Sequence, residues 1–190
     1  MGLAGEGAAE MRRSTRQIAL CGILAALATA LLFLGGLFPF ATYTAPALAG
    51  IVLWPISLEY NLRTGLLAWV VVSFLGLLLV PDLEMSLIFV FLLGYYPMVK
   101  QMLDRIHRRP LRWLAKLALF NLAVFAMYGL LLFVFPISGI VEEFAEYAGW
   151  FLLVLLLAAN LAFILYDLCL VRVRLIYHYR LRPLLFGKGR

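Results

Sequence analysis

Chemistry carried out inside a membrane needs a nucleophile, a metal triad or paired carboxylates, so the scarce polar residues of this 190-residue chain come first. His107 and His178 are the two histidines, and both stand in strongly basic segments, which leaves no histidine–metal core. Glu142 and Glu143 form a carboxylate pair of the kind an intramembrane protease uses. Tyr147, however, stands four residues after the second glutamate, where that chemistry wants arginine, and partner histidines are missing. The pair reads as a solvated acidic loop. Cys21 and Cys169 have neither CxxC spacing nor a ligand set beside them, and read as small buried hydrophobes. No Walker A pattern offers an ATP site. The chain therefore reads as a non-enzyme, with no metal and no cofactor expected.

The polar residues left at membrane depth are Tyr95, Tyr96, Asn121, Tyr128 and Asn160. At about 1.5 Å of rise per residue, Tyr95, Asn121 and Asn160 fall in one middle layer. Two readings stay open. These side chains hydrogen-bond one another as interhelical glue, at about 0.6 kcal/mol each. Alternatively, they floor a cavity that opens outward, with Tyr128 and Trp150 higher on its walls. Lys100, Glu59 and Asp167 fall near span ends, where they can pair or snorkel. A proton relay would need ionisable groups deeper than these, and none is read there.

Such residues must be positioned by helices in lipid. Hydrophobic residues make up 65% of the chain and charged ones 14%, with a mean hydropathy of +1.01. A soluble domain of this size cannot hide that much apolar surface. Apolar runs predict six membrane spans near 17–38, 44–62, 64–80, 85–103, 113–135 and 147–170, the last able to continue as a basic helix. Pro46 and Pro55 fall in the second span, Gly94 and Pro97 interrupt the fourth, and Pro39, Pro81 and Pro136 follow the first, third and fifth. The expected organisation is a disordered cytoplasmic segment over 1–15, an all-α six-transmembrane-helix bundle over 16–171, and a basic cytoplasmic tail over 172–190.

Charge supplies the orientation. All 16 lysines and arginines fall in four places: Arg12 to Arg16, Arg63, Lys100 to Lys116, and Arg172 to Arg190. Six spans put every one of these places on one face and leave the other to Asp82, Glu84, Glu142, Glu143 and Glu146. By the positive-inside rule, both termini are cytoplasmic. The net charge of +6 is then explained by anionic lipid and the cytoplasm, with no nucleic acid as partner. On the outer face, 41–44 is a candidate lid, and the carboxylate-bearing 80–84 caps a cavity, binds a cation or is a plain polar turn.

The first helix reads Ala19-Leu20-Cys21-Gly22-Ile23-Leu24-Ala25-Ala26-Leu27-Ala28-Thr29-Ala30, with Gly22, Ala26 and Ala30 at every fourth position. A strip of small residues lets another helix approach closely, inside the bundle or from a partner. With six spans and an inside N-terminus, this helix resembles that of the substrate-binding S component of energy-coupling factor (ECF) transporters. Ala26 and Ala30 match the family's AxxxA motif, with Gly22 one step earlier.

That resemblance implies a multi-pass subunit of the bacterial cell membrane that docks an ECF T component through Gly22, Ala26 and Ala30. Two cytoplasmic ATPases would drive the release of a small-molecule substrate captured outside. The implied substrate-binding residues are Tyr43, Tyr95, Asn121, Tyr128 and Asn160. Vitamin-binding members carry a more polar pocket, and the metal-binding subgroup uses N-terminal Met and His ligands that this chain lacks. A sparse aromatic pocket suits a small, weakly polar or aromatic solute. The alternative is a structural or regulatory membrane protein that transports nothing, docks a partner through the first helix and recruits cytoplasmic or lipid ligands through the basic loop around Arg105 to Arg112.

Overall fold

A computed structural model describes the backbone of residues 3–134 and 149–181. Phe135, Pro136, the acidic stretch with Glu142, Glu143, Glu146 and Tyr147, and the tail over 182–190 lie outside the described residues. Every regular element among the described residues is helical.

Helix α1 (Leu3–Gly35) takes in most of the N-terminal segment expected to be disordered. That stretch holds alanine, glutamate and methionine without proline, so its propensity favours continuing the helix backwards. The apolar part, Thr15–Gly35, ends at Gly35-Gly36, where the Gly36 N–H closes on the Leu32 carbonyl at 2.9 Å. A 3-10 turn at Pro39–Ala41 leads to α2 (Thr44–Glu59). Pro46 falls in the first turn of α2, where a missing N–H costs nothing, and Pro55 lies inside it. Helix α3 (Leu62–Leu79) is capped by Asn61, whose side chain accepts the Thr64 N–H at 2.8 Å, and it stops before Pro81.

The fourth apolar segment is broken. Asp82 caps α4 (Leu83–Ile88) by accepting the Met85 N–H at 3.0 Å. A π-helical turn follows at Phe89–Leu93, closed by the Gly94 N–H on the Phe89 carbonyl at 2.9 Å. Gly94 and Tyr95 leave the helix, and α5 (Tyr96–Leu103) restarts it. Pro97 explains the break, because it has no N–H to give the carbonyl four residues back. Helix α6 (Arg109–Val134) and α7 (Gly149–Ile176) follow, and a second π turn at Tyr177–Leu181 carries α7 on into the basic segment.

Among the described residues, five helical segments are long and apolar enough to cross a membrane: Thr15–Gly35, Leu62–Leu79, Leu83–Leu103, Arg109–Leu131 and Trp150–Arg180. This is the make-up of a multi-pass membrane protein. The apolar α2 has 16 residues, about 24 Å of helix.

The chain divides into two compact units, Met1–Val99 and Lys100–Arg190. In the first, α1, α2 and α3 pack on one another around Ala28, Leu32, Ala49, Leu53, Ile56 and Val72, with Met85 and Phe89 joining from the fourth segment. Small residues let the backbones approach. A Cβ built on Gly65 would stand 2.7 Å from the Ser57 Cβ. Ser86 ties α4 to α3 by donating its hydroxyl to the Gly76 carbonyl at 3.2 Å. In the second unit, α6 and α7 meet through stacked Phe120 and Phe163 rings with centroids 4.4 Å apart.

Candidate functional site

In the first unit, the break in the fourth segment lies beside an aromatic and polar face of α3. Trp69 meets Tyr95 edge to face, ring centroids 5.6 Å apart and planes inclined at 62°. The indole Nε1 of Trp69 and the hydroxyl of Ser73, one turn further along α3, are buried and find no hydrogen-bond partner among the described residues. The Trp54 Nε1 on α2 is in the same condition. An unanswered buried donor is costly, and more so in lipid. Non-helical backbone at membrane depth is tolerated where protein buries it or it lines a cavity. Trp69, Ser73 and Tyr95 therefore offer ring faces and donors suited to a small solute bearing an acceptor. Trp69 and Ser73 escaped the sequence reading, which weighed Asn and Tyr at depth and passed over Trp and Ser on a helix of ordinary composition.

The second unit holds a closed ring of charge. Lys116 donates to both oxygens of the Asp167 carboxylate, at 3.0 and 3.1 Å, and Lys100 shares Oδ1. Asp104 completes the ring, 3.4 Å from the Lys100 ammonium and 2.7 Å from that of Lys116. Lys100, Lys116 and Asp167 are only 3%, 2% and 2% exposed. Lys116 also lies 5.3 Å from the centre of the Trp113 ring. Lys100 and Asp167 thus pair, one of the outcomes open to them. Lys116, grouped by sequence with the loop cations, belongs instead to the interior. Two cations and two anions balance, as buried charge must. The available signal was the Lys100/Asp104 spacing of four residues, which stacks them on one helix face.

Among the residues expected to bind substrate, Asn121 and Asn160 face each other across α6 and α7. The Asn121 amide donates to Asn160 Oδ1 at 2.9 Å and the Asn160 amide returns to Asn121 Oδ1 at 3.1 Å. Each also donates to the carbonyl one turn back, Leu117 and Leu156, both at 2.8 Å. Both amide N–H pairs are thereby used, as the interhelical-glue arrangement requires. Asn121→Leu is expected to cost about 1 kcal/mol in an unfolding titration, because it strands the Asn160 amide. Asn121→Leu with Asn160→Leu should cost less than the sum of the two single changes.

Tyr128 is half-buried on α6, and Trp150 is exposed. Tyr43 is exposed beside the start of α2; burial and then the Glu84 and Asp82 carboxylates raise its phenol above the usual range. Here the polar segments 41–44 and 80–84 meet, since the Thr42 hydroxyl lies 3.4 Å from Asp82 Oδ2. Asp82 therefore starts a helix with one oxygen and reaches Thr42 with the other. The five expected substrate residues are divided between the two units. Tyr43 lies in the loop before α2 in the first unit, Tyr95 lies at the break, and Asn121, Tyr128 and Asn160 belong to the second unit.

On α1, Gly22, Ala26 and Ala30 are all exposed, while Ala28 and Leu32 enter the core. A Cβ built on Gly22 would meet nothing within 4 Å. Cys21 is half-buried, whereas Cys169, expected to be a buried hydrophobe, is exposed on α7 among the described residues. No family model, curated protein or solved structure matches this chain.

Proposed function

We propose that this chain is a membrane-embedded substrate-binding subunit of an ECF-type importer, of the S-component kind. It captures a small, weakly polar or aromatic solute and docks a T component through α1. The observation that carries this is the exposed Gly22, Ala26, Ala30 strip on a helix whose opposite side is committed to the core. In lipid there is no hydrophobic force between helices, and such a strip gains its energy from close contact. Counting α2 as a sixth span supports the cytoplasmic placement of both termini, since it brings all 16 basic residues to one face. Trp69 and Ser73 join Tyr95 among the residues that would receive the solute, Trp69 and Ser73 for their unanswered donors and Trp69 and Tyr95 for their aromatic faces.

Affinity purification of the full chain from its native membranes is expected to bring down a membrane partner and two ATPases. Ala26→Leu and Ala30→Leu should each abolish that capture while leaving the protein folded. Purification of the folded chain with no ATPase pair would remove the importer from consideration. The satisfied Asn121–Asn160 pair favours the second reading, a structural or regulatory membrane protein, because it leaves no amide donor for a solute. A partner lost on Ala26→Leu but lacking ATPases would favour that second function.

A further inference from the structure

The second unit holds more positive charge than its described carboxylates answer. Those carboxylates are Asp104 and Asp167, and Lys100 and Lys116 occupy both. Arg105, Arg108, Arg109 and Arg112 stand within eight residues and have no acidic partner among the described residues. Arg105, Arg108 and Arg109 are exposed, and Arg112 is half-buried.

Local geometry concentrates this charge. Arg109 opens α6, and the Arg112 N–H already closes on the Arg108 carbonyl at 3.0 Å. Arg108 and Arg109 are therefore four and three residues from Arg112 around one turn, the spacing at which like charges repel. The partial positive charge of the α6 N-terminus adds to theirs. Several phosphate oxygens placed there would relieve the repulsion and receive forked guanidinium hydrogen bonds.

The neighbours of this patch identify the source of the phosphate. Met102, Leu111 and Leu114 are 54%, 51% and 65% exposed, Leu111 between Arg109 and Arg112 and the other two flanking the run. The stretch joins two membrane-crossing segments, Leu83–Leu103 and Arg109–Leu131, which places it at the edge of the bilayer. A free phosphate or a nucleic acid has no use for those apolar side chains, whereas a phospholipid carries acyl chains to cover them.

We propose that residues 105–112 form a binding site for the headgroups of anionic phospholipid, with acyl chains lying on Met102, Leu111 and Leu114. This inference does not depend on the importer. The test is native mass spectrometry of the full chain in detergent, titrated with phosphatidylglycerol or with phosphatidylcholine of the same acyl chains. Phosphatidylglycerol is expected to bind on the order of tenfold or more tightly, given a contribution of roughly 1 kcal/mol per interfacial arginine. R105Q/R108Q/R109Q/R112Q should erase that preference, and R108Q/R109Q should reduce it at least about threefold if the quadruple variant does not fold. R172Q/R174Q/R180Q should reduce the preference less than R108Q/R109Q does. Equal binding of the two lipids would overturn the proposal. So would a preference surviving in R108Q/R109Q, one lost equally in R172Q/R174Q/R180Q, or displacement of the lipid by millimolar inorganic phosphate.

Discussion

Asp167→Asn is expected to lower the unfolding free energy of the protein by about 3–5 kcal/mol, the largest effect of any single polar substitution considered. The reason is what it leaves behind. Asp167 receives both Lys100 and Lys116, each almost fully buried, and without its charge two ammonium groups face the single carboxylate of Asp104. Desolvation of the unmatched cation dominates, because an intact buried pair contributes little beyond replacement by apolar side chains. Restoring neutrality should therefore recover most of the loss. Lys100→Met combined with Asp167→Leu keeps Lys116 with Asp104 and is expected to be markedly more stable than Asp167→Asn alone. Denaturant titration in mild detergent, with helicity as the readout, measures both. A loss under about 1 kcal/mol for Asp167→Asn would show that water reaches the ring and screens it.

Gly50→Ala is expected to destabilise the protein by about 1–3 kcal/mol, although it adds one methyl group. A Cβ at Gly50 would stand 2.5 Å from the Leu93 carbonyl oxygen and 3.3 Å from the Cα of Gly94. Both neighbours are backbone at the π turn of the fourth segment, so no flexible side-chain end can give way. Helix α2 must move off the break, and the contact that places Tyr95 beside Trp69 moves with it. Gly22→Ala makes the internal control. The same methyl group meets nothing within 4 Å on α1, and the higher helix propensity of alanine should hold stability level or raise it by up to about 1 kcal/mol. Melting curves of the two variants should diverge; coincident curves would contradict the close approach at Gly50.

Much of the helical layout was legible because lipid makes it so. Apolar length, proline and glycine mark the segments, and the interruption expected at Gly94 and Pro97 is the observed break. The shared depth of Asn121 and Asn160 was legible too, because it needs only the rise per residue and not the rotation of either helix. Rotation is what sequence conceals. Lys116 follows Arg108, Arg109 and Arg112 in a basic run, and only the packing of α6 turns it inward to Asp167 while Arg108 and Arg109 stay outside. Trp69 and Ser73 were hidden for a similar reason, since their unanswered donors depend on which side of α3 meets the fourth segment. Thr42 and Asp82 lie 40 residues apart, and no local pattern announces that their loops meet.

The length of α2 has a consequence for the surrounding lipid. Its 16 residues reach about 24 Å, whereas the hydrocarbon layer of a bilayer is about 30 Å thick. On the proposed six-span reading, either the leaflets thin beside α2 or the aromatic ends, Tyr43 and Tyr60, bridge the shortfall, at a fraction of a kcal/mol per ångström. Such a dimple is an elastic load that thinner membranes would relieve. On the same reading, a bilayer of shorter acyl chains should relieve the load at α2 while leaving longer spans, such as the 23-residue Arg109–Leu131, to tilt.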